Sequence, residues 1–281
     1  MSHALHGGLE GWSWRLWSKV SDAAHSMADP WQGESKATLL LSLLSEDGDE
    51  GYPGTVQATA RFEVTDEDEL LVTMSAEALD RPTVVAMCNH SYFNLAGHAS
   101  GDVLGHRVHI PSSEITLCDA TGLPTGELGP VAGTPLDLTD PGGTPLAEPI
   151  AALAAAHAEG TEHSAGLDHN FLLEVPEEGV NPCVAVDGEV RLAAVCSDPV
   201  SGRRMHVSTN APGVQCFSAN YPVFDGTLAG KGGAAYGPHA GVCFETQHWP
   251  DGVNQPHFPS ALLEPGRMYS HHWNLAFDAG G

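Results

Sequence analysis

The feature that most constrains the fold of this chain is a series of short segments in which apolar residues recur at every second position. Between Thr55 and Val64, the residues Val56, Ala58, Ala60, Phe62 and Val64 share one face, the pattern of a strand buried on one side. Comparable runs occur at 70–74, 83–87, 107–110, 171–175, 190–196, 203–209, 213–218, 241–246 and 268–277. Most of the 32 glycines and 20 prolines lie between these runs, where turns need positive φ or dispense with an amide donor. Only 145–158 predicts a helix, from its Ala and Leu content and the stop at Gly160. Strands that do not alternate with helices disfavour a doubly wound α/β fold and predict an all-β sandwich or barrel. A chain of 281 residues suits one undivided β domain over 1–281, large enough to bury a core without cross-links. Two stretches lack a period: Ser18 to Glu34 reads as an exposed loop, and Asp119 to Gly143 as an extended surface segment rimming a site.

Charge narrows the partners. Asp and Glu total 36 against 11 Lys and Arg, a net charge of −25, which leaves little to neutralise phosphates and disfavours nucleic acid and anionic membrane. The longest apolar stretches, such as Ala37 to Leu44, are too short to cross a bilayer. The first residues show neither a basic nor an apolar targeting region. Six cysteines without a C-x-x-C pair read as reduced thiols of a cytoplasmic protein.

Sixteen histidines raise a metal site as a reading, yet no His-Glu-x-x-His or paired Cys/His spacing occurs. His106 and His109 are three apart, and His271 and His272 adjacent, so on a strand neither pair converges on one ion. Most of the histidines read as solvated surface groups. More informative are polar residues within or beside strand-like runs: His90 after 83–87, Asp168 before 171–175, Gln215 within 213–218, and Glu245 with Gln247 on one side of 241–246. A carboxylate in a buried strand is costly unless it is hydrogen-bonded or lines a wet cavity. Four such segments together point to a cleft, with His and Glu as proton donor and acceptor and Asp and Gln as hydrogen-bonding groups for a polyol.

The segment Asn89-His90-Ser91-Tyr92-Phe93-Asn94-Leu95-Ala96-Gly97 resembles the signature of the aldose 1-epimerases, or galactose mutarotases. Further segments similar to that family follow in its order. They are His6-Gly7-Gly8, Glu50-Gly51-Tyr52-Pro53-Gly54, Leu123-Pro124-Thr125-Gly126-Glu127, Asp168-His169-Asn170-Phe171, Pro212-Gly213-Val214-Gln215, and Glu245-Thr246-Gln247-His248-Trp249-Pro250-Asp251.

This resemblance implies a large twisted antiparallel β-sandwich that interconverts the α and β anomers of glucose or galactose by acid-base ring opening. It implies Glu245 as general base, His90 as acid, and His6, Asp168 and Gln215 as groups binding sugar hydroxyls. His169 is the other candidate acid, but as a strand neighbour of Asp168 it faces away, so His90 is preferred. The acid and base are expected on opposite flanks of the pyranose. No metal or cofactor is implied, and the state expected is a monomer or weak dimer. Family members carry extra strands and an Asn-Arg pair ahead of the His-Gly-Gly segment. This sequence has five residues before His6, so the resemblance also implies an N-terminally incomplete form. The alternative function is a non-catalytic or impaired sugar-binding or regulatory member of the same fold.

Overall fold

A computed structural model describes residues 5–20, 35–173, 180–184, 189–221 and 223–279. Two antiparallel sheets dominate it. In spatial order the larger sheet comprises Ser18–Val20, Ser35–Ser45, Val56–Thr65, Glu69–Ala78, Met268–Ala279, Arg203–Thr209, Arg191–Ser197, Arg107–His109 and Thr144–Pro145. The smaller comprises Cys243–Gln247, Gly213–Phe217, Asp168–Leu172, Glu114–Cys118 and Pro124–Pro130. The all-β sandwich expected from the period-two runs is therefore the observed architecture.

The sheets are held face to face by one shared apolar layer. Val72, Met74, Met205, Val207, Trp273 and Leu275 of the larger sheet pack in the same cluster as Ile115, Phe171, Val214, Cys216 and Phe244 of the smaller. Burying a large apolar side chain contributes about 1.5–3 kcal/mol relative to leaving it exposed, so this layer dominates the attraction between the sheets. The helix Ala147–Ala158 buries Ile150 and Leu153 in the same cluster. Its expected first residues differ, because Thr144–Pro145 pairs as an edge strand with Arg107 and Val108.

Several other boundaries shift. Ser35–Ser45 pairs along its length with Val56–Thr65, although three consecutive leucines, Leu39 to Leu41, hide its alternation. Ser18–Val20 extends the same sheet by pairing with Leu40 to Ser42; the rest of the expected 18–34 loop lies outside the described residues. The 119–143 segment is not wholly irregular, since Pro124–Pro130 pairs with Glu114–Cys118.

The expected 83–87 strand is only Thr83–Val84, paired with Leu262–Leu263. Past it the chain leaves the ladder and runs to the edge of the smaller sheet, where Phe93 and Val242 exchange backbone hydrogen bonds at 2.9 and 3.0 Å. Two buried side chains steer this crossing: the Met87 N–H donates to the Tyr269 hydroxyl at 3.1 Å, and the Met87 carbonyl accepts from His271 Nδ1 at 2.9 Å.

His271 belongs to a group of histidines that overturns the surface reading. His106, His169, His248, His271 and His272 are all buried. His271 also accepts at Nε2 from the Thr246 hydroxyl, 2.8 Å away on the opposite sheet, whereas its neighbour His272 meets Thr73 of its own sheet. His271 has partners for both ring nitrogens, which is what makes its burial tolerable.

Candidate active site

Alternation decides which side chains of the smaller sheet reach the site. Phe171, Val214, Cys216 and Phe244 turn inward to the core, so the residues between them turn outward. In register, Asn170 lies opposite Gln215, and Gln215 opposite Glu245. One row across three strands thus presents three polar side chains on one outer face, with Asp168 two residues from Asn170 on the same side.

Hydrogen bonds tie this row together. Asp168 accepts from Gln215 Nε2 at 2.8 Å on one oxygen and from the Tyr221 hydroxyl at 2.5 Å on the other. Gln247 Nε2 donates to Asn170 Oδ1 at 3.2 Å and lies 3.4 Å from Gln215 Oε1. Tyr221 has no sequence signal, because it follows the strand in a loop that folds back over Phe217, with ring centroids 5.2 Å apart.

The crossing segment delivers His90 over the edge of this face. Its Nε2 lies 3.4 Å from Glu245 Oε1, and the two side chains are 32% and 7% exposed. The His90 ring stacks on Tyr92 at 5.1 Å and meets Phe217 edge-on at 6.1 Å. On its other side His6 approaches edge-on, with centroids 5.5 Å apart. Acid and base candidates are thus in direct contact, not on opposite flanks of a ring-sized gap as expected. The ring oxygen and the anomeric hydroxyl are both bonded to one carbon, so neighbouring groups can serve both.

His6 is held at this position by a tie between two of the family-like segments. The backbone N–H groups of Leu9 and Glu10 donate to the two carboxylate oxygens of Glu50 at 2.8 and 3.0 Å. Gly8 makes the approach feasible: its φ is +121°, and a Cβ there would sit 2.1 Å from Glu50 Oε2. His6 itself has a positive φ of 54°, a conformation costly for a residue with a Cβ and often found at functional sites.

Burial, followed by the nearby Asp168 carboxylate, pushes Glu245 up to about 8. Burial, then His6, holds His90 below the usual imidazole value. Cys88 places its sulfur 3.9 Å from Glu245 Oε2. His90, Cys243 and Glu245 have ligand atoms within 4.8 Å of one another. Burial and Glu245 drive the Cys243 thiol far above its ordinary value.

His169 points to the other side of its strand, where its Nε2 lies 3.3 Å from Glu162 Oε1. Glu245, His90, His6, Asp168 and Gln215 therefore gather on one face, and His169 is behind it.

A family model described as aldose 1-epimerase matches residues 2–276. The chain is 38% identical over 271 residues to human galactose mutarotase, covering 96% of this chain and 67% of that protein. It is 32% identical over 268 residues to Escherichia coli aldose 1-epimerase, covering 95% and 68%. It thus spans about two thirds of the length of these relatives. Among solved structures, an aldose epimerase homologue from C. elegans superimposes with a TM-score of 0.76 at 23% identity, over 99% of this chain and 73% of that one. Galactose 1-epimerase from Lactobacillus acidophilus gives 0.73 at 24% identity, over 99% and 70%. These two similarities establish a shared fold.

Proposed function

Because the chain belongs to the aldose 1-epimerase family, we propose that it interconverts the α and β anomers of aldohexoses such as glucose and galactose. The observation that carries this reading is the contact between Glu245 and His90 at 3.4 Å, beside a face lined with sugar-compatible hydrogen-bonding groups. Glu245, as carboxylate, takes the proton of the anomeric hydroxyl while His90 donates one to the ring oxygen. The bond between C1 and the ring oxygen breaks to give the aldehyde. Rotation about C1–C2 then exposes the other carbonyl face, and reclosure with both proton transfers reversed gives the other anomer. Asp168, Gln215 and His6 hold the remaining hydroxyls, keeping the open chain oriented for reclosure.

The two environments favour a particular stage of this cycle. A carboxyl raised to about 8 and a histidine lowered below its usual value together prefer protonated Glu245 and neutral His90. That is the distribution reached after ring opening, so the site opposes the starting ionic pair and supports the open-chain intermediate. Each positioned proton-transfer group contributes about 10²–10⁴-fold.

The same preference supports a second reading, a sugar-binding protein without turnover, since at neutral pH the carboxyl largely keeps its proton. Polarimetry on anomerically pure glucose and galactose decides between them. Equilibration faster than in buffer is expected; a folded sample that binds either sugar, measured by calorimetry, without accelerating equilibration would establish the second reading.

A further inference from the structure

Behind the sugar-facing side of Asp168 lies a cluster of titratable groups that the proposed proton transfers leave unused. Glu162, His163 and His169 present ligand-type atoms within 4.8 Å of one another, beside a cavity also lined by Cys118 and Asp119. Three donors converge on the single oxygen Glu162 Oε1: the His163 backbone N–H at 2.7 Å, His163 Nδ1 at 2.6 Å and His169 Nε2 at 3.3 Å.

Each ring's remaining nitrogen reaches the backbone of Asp168. His163 Nε2 donates to the Asp168 carbonyl at 3.0 Å, and His169 Nδ1 accepts from the Asp168 N–H at 3.1 Å. These bonds dictate where the protons are. His169 receives a proton at Nδ1, so it carries its own at Nε2, facing Glu162. Both nitrogens of His163 face acceptors, and only a ring with a proton on each can donate to both. A divalent cation is a poor occupant of this cluster, because His169 would need a lone pair at Nε2 and so a proton at Nδ1, against the Asp168 N–H. Although burial alone would raise Glu162, the hydrogen bonds from His169 and from the His163 backbone N–H help to hold it at about 2.

We propose that Glu162, His163 and His169 act as a positioning clamp that grips the peptide groups of Asp168 from behind and fixes the aim of its carboxylate at the sugar. Tyr221 and Gln215 hold the carboxylate from the front, so the residue is constrained at both ends. Asp168 is placed among the sugar-binding groups and transfers no proton. Loosening the clamp therefore weakens sugar affinity more than it slows the chemistry. This inference rests on the sugar-directed reading of the site.

The test compares Glu162→Ala and Glu162→Gln with the parent protein, using galactose mutarotation for kcat and KM and ¹⁵N NMR of the imidazoles for their protonation. In the parent, the spectra are expected to show His163 protonated on both nitrogens and His169 on Nε2. Glu162→Ala is expected to abolish that pattern and to raise KM about tenfold, with kcat within about twofold. Glu162→Gln keeps an acceptor oxygen and should fall between. His163 neutral in the parent overturns the clamp. So does an unchanged KM in Glu162→Ala, or a fall in kcat at unchanged KM. A parent that accelerates no mutarotation and binds no sugar refutes the functional reading itself, an outcome distinct from an active parent whose KM ignores Glu162. A variant that unfolds on thermal denaturation transfers the comparison to the more conservative Glu162→Gln.

Discussion

Glu245 and His90 approach to 3.4 Å from different parts of the chain, one on the edge strand Cys243–Gln247 of the smaller sheet and the other on a segment that has left the ladder. Their surroundings push them in opposite directions: the carboxyl upward and the imidazole downward. A pair arranged this way shares one proton over a broad pH range.

Removing the carboxylate is expected to separate activity from stability. Glu245→Gln should lower kcat by about 10²–10⁴-fold, the range for one lost proton-transfer group. It should also make the fold more resistant to urea at pH 8. A carboxyl raised to about 8 favours the folded state fully only below its unfolded value, and that contribution is lost as pH climbs through 8. The neutral amide escapes this loss, a gain on the order of 1–3 kcal/mol. Full activity in Glu245→Gln removes the base assignment; reduced stability removes the electrostatic one.

The pH profile of kcat/KM should be bell-shaped, and its limbs belong to the pair as a unit. The productive form holds one proton between the two groups. It accumulates once pH passes the lowered His90 value and declines as the second proton leaves near 8. In His90→Asn the acidic limb should vanish along with most of the activity. A single-limbed wild-type profile contradicts coupled acid-base chemistry.

Tyr221→Phe deletes the hydroxyl that donates to Asp168 Oδ2 at 2.5 Å. Hydrogen bonds to charged groups matter more than neutral ones, but this tyrosine is half exposed, which moderates the loss. The expected result is a rise of about three- to tenfold in KM for galactose with kcat nearly unchanged. Initial-rate polarimetry over a range of sugar concentrations resolves the two parameters.

Acid sensitivity should come from the buried histidines. Burial lowers His248 to about 4, and burial with His248 nearby lowers His271 to about 3. Unfolded histidines bind protons near 6.5, so below that pH the unfolded chain takes up protons that the native protein refuses. Each group then costs about 1.4 kcal/mol of stability per pH unit. Glu245 acts with the opposite sign between about 8 and its unfolded value, offsetting one of the two. Urea midpoints should therefore fall between pH 6 and pH 5, and fall more steeply in Glu245→Gln. Equal slopes in the two proteins would show that Glu245 does not titrate as assigned.

The sandwich was legible because period-two burial is a local property: Val56, Ala58 and Ala60 declare a buried face without reference to any partner. The same rule correctly separates Asp168 from His169, since strand neighbours must face apart. It fails where apolarity is continuous, as at Leu39 to Leu41, whose strand carries no visible alternation. The surface reading of the histidines fails for a related reason. His271 is buried because Met87, Thr209 and Thr246 supply its hydrogen bonds, and those partners come from distant segments.

Sequence alone thus determined the fold class, the inward and outward faces of the strands whose alternation is visible, and the motif residues gathered at the candidate site. Tertiary structure decided that Glu245 and His90 touch, that Tyr221 caps Asp168, and that Glu162 and His163 stand behind it. Strand periodicity is written along the chain, but the distance between two side chains depends on register, crossing segments and returning loops. Those are set by the packing of the whole core, and no short stretch of residues specifies them.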